Sequence, residues 1–470
     1  MSVTFRIKAS EAQGRRLDPH FHSPTFRMNR LRIESHRHLA MKGLCELSDE
    51  TWDKAQDFQD RFPYVEIGAI NCENGEIGGI EELVTAEAPS RAQMVVRTGD
   101  LLVSATRPTR NAIAIVPSNI EKAIASTGFL VVRGVQSTLV ASKYLFHALR
   151  MEFCTKQFNQ YSSGGNYPAI TKDDFRKIII PLPPLPEQRK IVAELDAAYA
   201  AKRAADERAT KLLASIDDMV LNELGIAKLP KPDTSLSSRI FTVPAKEVAN
   251  ATLAPDHYFD SIDFSKAKYP CERFVERIDI DPPCVLEQIT KLVPMEGVSA
   301  EWCAIENIED ISPDATQGYS TFRGGDVIWA RITPCMENGK SAVVEVEPSE
   351  CFCGSTEFLV FRPKDDKVNP YYLQSLLHLK RFREVAAHHF TGTSGHQRVT
   401  ADFFKSISIP IPPRSVQDRI ASTASSIRTE ARKLKADATA ALDAAKRKIE
   451  ARIVAADQVI AEAPAKKAAI

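Results

Sequence analysis

Residues 178–190 read IIIPLPPLPEQRK, and residues 407–419 read ISIPIPPRSVQDR. Each is an apolar strand, then a knot of prolines, then a glutamine near the start of a long run of helix formers. The phrase is the end of a longer repeat. TGDLLVSATRPT at 98–109 matches GGDVIWARITPC at 324–335, and STGFLVVR at 126–133 matches STEFLVFR at 355–362. SKYLFHALR at 142–150 matches NPYYLQSLLHLKR at 369–381, and SSGGNYPAITKDDFRKI at 162–178 matches TGTSGHQRVTADFFKSI at 391–407. RLDPHFHSP at 16–24 loosely resembles LAPDHYFDS at 253–261. Leaving that loose match aside, the offset stays between 226 (Gly99 to Gly325) and 229 (Pro181 to Pro410). Matches that keep order and spacing together mean two homologous halves.

Each half follows one plan. Runs such as DLLVSATR, FLVVR, DVIWARI and FLVF suit half-buried strands. Gly99-Asp100 and Gly325-Asp326 suit tight turns that open a strand. A short helix is expected over 142–158 and over 370–386. A Gly/Ser-rich loop follows, then the short strand and the prolines. The prolines force an extended segment that cannot donate to a ladder.

The helices that follow are long. From Glu187 to Leu224 a 4-3 spacing places Ile191, Leu195, Ala198, Ala205, Ala209, Leu212, Ile216 and Met219 on one seam, with Lys202 out of place. From Val416 to about Glu462 the seam is Ile420, Ala424, Ile427, Ala431, Leu434, Ala438, Ala441 and Ala445. A 3.5-residue spacing over several heptads is a coiled-coil seam. At 1.5 Å per residue the helices span roughly 55 and 70 Å. A lone helix cannot bury such a seam, so the two helices are expected to pair, antiparallel, as a rod with a β-rich head near each end. The simpler alternative packs each helix on its own head. Pro230 and Pro232 end the first helix and link the halves.

Composition limits the functions available. The 470 residues allow two to four domains. Lys+Arg and Asp+Glu are both 61, so any affinity for nucleic acid must come from local patches. Nine cysteines lie scattered without a CxxC pair, and Cys351-Phe-Cys353 is too close for a zinc knuckle. They are read as reduced thiols of a cytoplasmic protein. The N-terminus lacks an apolar signal core, and no run approaches the length that spans a membrane.

The proline–glutamine phrase after a Ser/Gly-rich loop, the Gly-Asp strand opening and the two long Ala-rich helices resemble the specificity (S) subunits of type I restriction-modification systems. The resemblance runs from about Leu17 to about Glu462. It implies an α+β fold with two homologous β-rich target-recognition domains (1–180 and 230–409), separated by a pair of long antiparallel coiled-coil helices (181–229 and 410–463), and a disordered tail at 464–470. It implies a non-catalytic chain that reads a bipartite, gapped site on double-stranded DNA and docks two methyltransferase (M) subunits and restriction (R) subunits. S-adenosylmethionine, ATP and Mg would belong to those partners, and this chain would hold no cofactor or metal. The phrase departs from the pattern in the second copy, where Arg414-Ser415-Val416 stands in place of Leu185-Pro186-Glu187.

A search for chemistry fits that picture. Asp281-Pro282-Pro283-Cys284 lacks the aromatic that stacks on a flipped base, and reads as a turn. No phosphate-cradling GxxxxGK[ST] is present. No acidic or Cys ligand sits at zinc spacing from His388, His389 and His396. Residues suited to DNA contact are Arg27, Arg30, Arg32, Arg107, Arg110, Asn166 and Tyr167 in the first half, and Arg331, Lys340, His396, Gln397 and Arg398 in the second. Each is equally an ordinary surface group. The Gly-rich loops suit either backbone approach to phosphate or a hinge. Pro181, Pro183, Pro184 and Gln188, with Pro410, Pro412, Pro413 and Gln417, mark the helix junctions and candidate subunit-docking points. A rod-like protein-interaction scaffold with two β heads is the alternative of another class.

Overall fold

The computed structural model describes residues 18–54, 56–227, 262–284, 289–393 and 397–454, with single positions between them. The segments 253–261 and 464–470, Pro230, Pro232 and His396 lie outside the described residues, as does the second seam beyond Val454. The chain forms two compact units. One takes the residues up to Arg203 and those from Ala438 onward; the other runs from Ala204 to Asp437.

The first unit holds two four-stranded sheets. One has the order 46–48, 129–133, 101–104, 113–115; the other has the order 81–84, 61–65, 122–126, 92–97. The second unit repeats both, as 278–280, 358–363, 327–330, 341–343 and as 309–310, 291–293, 351–354, 320–323. In each second sheet one pair is parallel, Tyr64 with Ile124 and Leu292 with Cys353. Each unit also pairs the strand before the prolines with an early strand, His38–Ala40 with Ile179–Pro181 and Cys271–Arg273 with Ser408–Pro410. Identical strand order with the same single parallel pair is independent evidence for the duplication.

The central strands are buried on both faces, not half-buried as their alternation suggested. Leu101, Val103, Leu130 and Val132 face a core shared with helices, while Leu102, Phe129 and Val131 face the other sheet. In the second unit Val327, Trp329, Leu359 and Phe361 face the helical core, and Ile328, Ala330, Phe358 and Val360 face the sheet. A strand sandwiched between two apolar layers must be apolar at every position.

The expected short helices are each broken in two. The first runs Ser142–Leu149 and Glu152–Tyr161, the second Pro370–His378 and Lys380–His388. Met151 and Leu379 are extended at the breaks. Arg150 is held there by four backbone carbonyls, those of Asn111, Ile113, Cys72 and Glu73.

The long helices are Leu185–Glu223 and Arg414–Ile453, of 39 and 40 residues. Within each unit, segments of the two helices pack together and run antiparallel. In the first unit Arg452 binds Glu194 (3.1 Å) and Lys446 lies over Tyr199 (5.1 Å). In the second Arg419 binds Glu223 (2.6 Å) and Arg208 approaches Glu430 (3.9 Å). The first seam is buried or half-buried throughout. The second holds to Ala438, misses at Ala441, which is exposed beside buried Leu442, and returns at half-buried Ala445, beyond which Ile449 and Ile453 are buried. Leucine and isoleucine bury more apolar area than alanine, so the longer side chains take the inner face. Lys202 breaks the seam because it pairs with Glu73 of the head (2.9 Å), beside Arg203 with Glu76 (2.7 Å). The second unit has the same latch, Arg432 with Glu306 and Lys435 with Glu301, and Trp302 lies beneath both cations.

One cysteine reading is corrected. Cys284 and Cys351 form a disulfide, and the other seven are free. The partners are 67 residues apart, and only the fold brings the 281–284 bend against the strand Cys351–Gly354.

Candidate nucleic-acid interface and helix junctions

The proline phrase does one job twice. Pro184 and Pro413 offer the carbonyls that begin each helix, accepting from Glu187 and Gln188 and from Val416 and Gln417. The different residues between them, Leu185-Pro186-Glu187 and Arg414-Ser415-Val416, follow the same path. Gln188 and Gln417 are both 0% exposed. The Gln188 carboxamide accepts from Ala141 N (2.9 Å) and donates to the carbonyls of Leu139 (3.0 Å) and Pro183 (2.9 Å). Gln417 accepts from Asn369 N (2.8 Å) and donates to Lys367 and Pro412 (both 2.8 Å). Tyr144 and Tyr372 donate to the carbonyls of Pro181 (2.7 Å) and Pro410 (2.8 Å). Burial pushes both phenols up, so they stay protonated donors. Each head is therefore pinned to its helix by one glutamine and one tyrosine. The glutamines are spent on the chain's own backbone and reach no other surface.

A second repeated device lies at the Gly-Asp turns. Gly99 and Gly325 both take φ of +85°, which only glycine adopts freely. The turn delivers Asp100 and Asp326 inward, where each accepts from the amide three residues back, Arg97 or Arg323. Asp100 binds Arg133 through both oxygens (2.9 and 2.7 Å), and Asp326 binds Arg362 (both 2.7 Å). The carboxylates hold both guanidinium groups above their usual range.

A third device uses the far end of each helix. Glu450 accepts from the amides of Glu152 (3.1 Å) and Phe153 (2.8 Å), capping the helix Glu152–Tyr161. Asp217 accepts from Lys380 N (2.8 Å) and caps Lys380–His388. Burial raises both carboxyls above their ordinary values despite the amides.

The expected DNA-contact residues fall into three groups. In the first unit Arg107, Asn166 and Tyr167 come together, and Arg110 lies in the turn Pro108–Arg110 that follows Arg107. The loop after the strand Leu101–Ser104 meets the Gly-rich loop by a bridge from Thr106 to Ala169. Arg107 donates to the Asn166 carbonyl from Nε (3.2 Å) and an Nη (2.8 Å), and lies 4.3 Å from the Tyr167 ring centre. In the second unit Arg331, Gln397 and Arg398 occupy the same meeting point, with a bridge from Ile332 to Arg398. There Glu357 takes Arg398 through both oxygens (2.6 and 2.8 Å) and faces Arg331 at 3.7 Å. The Lys340 carbonyl accepts from Ala330 N (2.9 Å), but the Lys340 ammonium is spent on the Met295 carbonyl (2.7 Å). The third group is the helix Pro24–Glu34. Arg30 pairs with Glu34 (2.7 Å), Arg27 is exposed, and Arg32 donates to the Val454 carbonyl (2.8 Å) at the end of the second long helix.

Sequence reasoning missed Tyr144 and Tyr372, the Asp–Arg pairs and the Glu450 and Asp217 caps. The first two sets lie inside the matched segments, so their recurrence was the available signal. The caps have none, since Glu450 and Asp217 stand on different helices in unlike contexts.

Among the described residues no cluster of His, Cys, Asp and Glu could hold a metal, and no helix is long and apolar enough to cross a membrane. A family model described as the type I restriction modification DNA specificity domain matches residues 39–210 and 298–440. The specificity subunit of the type I restriction enzyme EcoAI from Escherichia coli is 34% identical over 135 residues, 28% of this chain and 23% of that protein. That of EcoEI, also from Escherichia coli, is 30% identical over 166 residues, 35% of this chain and 28% of that protein. The match thus spans about a quarter of each relative's length. A structure solved in work on assembly and conformational transition of the type I R-M system superposes with a TM-score of 0.52 at 24% identity, over 89% of this chain and 96% of that one, and shares the fold. With a family match over more than half its length, on a frame built twice, the chain belongs to the type I restriction-modification DNA specificity family.

Proposed function

We propose that this chain is the DNA-recognition subunit of a type I restriction-modification complex, each head reading one half of a bipartite gapped site. The observation that carries the reading is one frame, repeated strand for strand and pin for pin, that presents different side chains at the same loop junction. A reader of two unlike half-sites needs that combination. The long helices act as the spacer: 39 and 40 residues correspond to about 58 and 60 Å, comparable with one or two turns of duplex at about 34 Å each. The antiparallel contacts within each unit support a coiled-coil pair in that role.

The chain is not an enzyme. Two methyltransferase subunits dock on it and restriction subunits join them, in the cytoplasm; S-adenosylmethionine, ATP and Mg act on those partners. Because the glutamines are buried, docking uses the exposed flanks of the junctions. The test is a base-resolution methylation map of the host with the chain intact and deleted. Loss of one gapped, two-part adenine motif is expected. An unchanged map overturns the reading and leaves the protein scaffold in its place.

A further inference from the structure

The two heads are not equivalent at their shared loop junction. Matched backbone bonds fix the correspondence: Ala105 N to Gly128 O and Arg331 N to Glu357 O; Arg107 N to Pro168 O and Thr333 N to Gln397 O; Ile170 N to Ala105 O and Val399 N to Arg331 O. Glu357 therefore occupies the place of Gly128, Thr333 that of Arg107, and Arg398 that of Ala169. In the second head the added glutamate, Glu357, pairs with one added arginine, Arg398, and faces the other, Arg331, at 3.7 Å. In the first, Gly128 stands at that place and none of the described residues brings a carboxylate to it. Arg107 is held by a carbonyl and a ring, and Arg110, exposed three residues beyond, meets no acidic partner among the described residues.

The first junction is also held in an unfavourable shape. Arg107 has φ of +49° and Asn111 +60°, on either side of the turn Pro108–Arg110. Non-glycine residues in that region are uncommon and cluster where a loop is built to present a group. The opposite loop is closed by paired bonds between Ser163 and Ala169 (2.9 and 2.8 Å). The result is Tyr167 at 67% exposure with one face backed by a guanidinium. A large ring pushed into water on a braced loop suits a flat apolar partner, and the arginine beneath it suits an adjacent phosphate.

We propose that Arg107 and Tyr167 form a DNA-contact platform in the first head, the ring against a base or sugar and the guanidinium at a phosphate, and that Glu357 closes the corresponding point in the second head. This rests on the DNA-recognition reading above.

The test uses the full chain and a fluorescent random-sequence duplex of about 40 base pairs, with anisotropy followed from low to moderate salt. Arg107→Ala should weaken binding about tenfold at low salt and lower the salt slope by about one. Tyr167→Ala, at an exposed position that does not threaten folding, should weaken binding several-fold with the slope unchanged. Arg398→Ala should leave both unchanged. Glu357→Gln should tighten binding and steepen the slope by about one, which a purely structural role for the pair would not produce. Wild-type binding with no response to Arg107→Ala and Tyr167→Ala, or an equal loss from Arg398→Ala, overturns the platform alone. Failure of the wild type to bind any duplex overturns the DNA reading with it.

Discussion

At the turn after the inner strand the first head carries Arg107 and the second Thr333; across the bridge stand Ala169 and Arg398. A few residues away, at the Gly-Asp turn, the two heads are alike to within 0.2 Å in the bonds that their aspartates accept from arginine. The duplication thus kept what holds each head together and changed what each head shows. Frame residues are buried and fully bonded, so a change there leaves polar groups unpaired. Junction residues are only half-buried, so their replacement costs the fold less.

The likeness of the frames can be broken in order of expected effect. Asp326→Ala strands Arg362 beside the core and should cost about 3–4 kcal/mol, read as faster amide exchange over 358–363. Asp100→Ala should cost less, about 2–3 kcal/mol over 129–133, because Arg133 keeps Glu50 (2.7 Å) and is half-exposed. Equal losses would mean that Glu50 contributes nothing.

Gln188→Ala and Gln417→Ala come next, each at about 2 kcal/mol, since each leaves one amide and two carbonyls without partners. Denaturant melts of the two variants should agree within about 1 kcal/mol. A large inequality would contradict the equivalence of the two junctions.

The smallest effects are at the helix caps. Glu450→Ala and Asp217→Ala should each cost about 1 kcal/mol, with Glu450 the larger because it serves two amides. Both carboxyls titrate higher in the fold than in the open chain, chiefly through burial. Their contribution is therefore complete below the ordinary values, 4.5 for Glu450 and 3.8 for Asp217, and is lost as pH rises through the folded values. Glu450→Gln should flatten the decline in stability above pH 4.5 while keeping an acceptor for the amides. A decline that survives both Glu450→Gln and Asp217→Asn would place its origin elsewhere.

Much of the frame was legible because it is periodic or repeated. The proline–glutamine phrase located both helix starts to within two residues, and the heptads gave the first seam entirely. The second seam failed where alanines crowd: from Ala438 onward Ala441 and Leu442 compete, and only packing against the first helix decides between them. The helix breaks at Met151 and Leu379 were hidden because nothing local demands them; distant carbonyls hold Arg150, and distant carboxylates cap the next turn. The Cys284–Cys351 bond was hidden for the same reason. At the candidate interface composition named Arg107, Asn166 and Tyr167 but could not separate them from Arg32, whose partner is a helix end some 420 positions away.

The spacer claim is tested most directly by inserting one Ala-rich heptad into each long helix, after Arg203 and after Asp437, and mapping the methylated motif of the resulting complex. Seven residues add about 10 Å of helix, or about three base pairs of duplex. The account predicts a gap lengthened by about that amount between two unchanged half-sites. Altered half-sites with the original gap would contradict it.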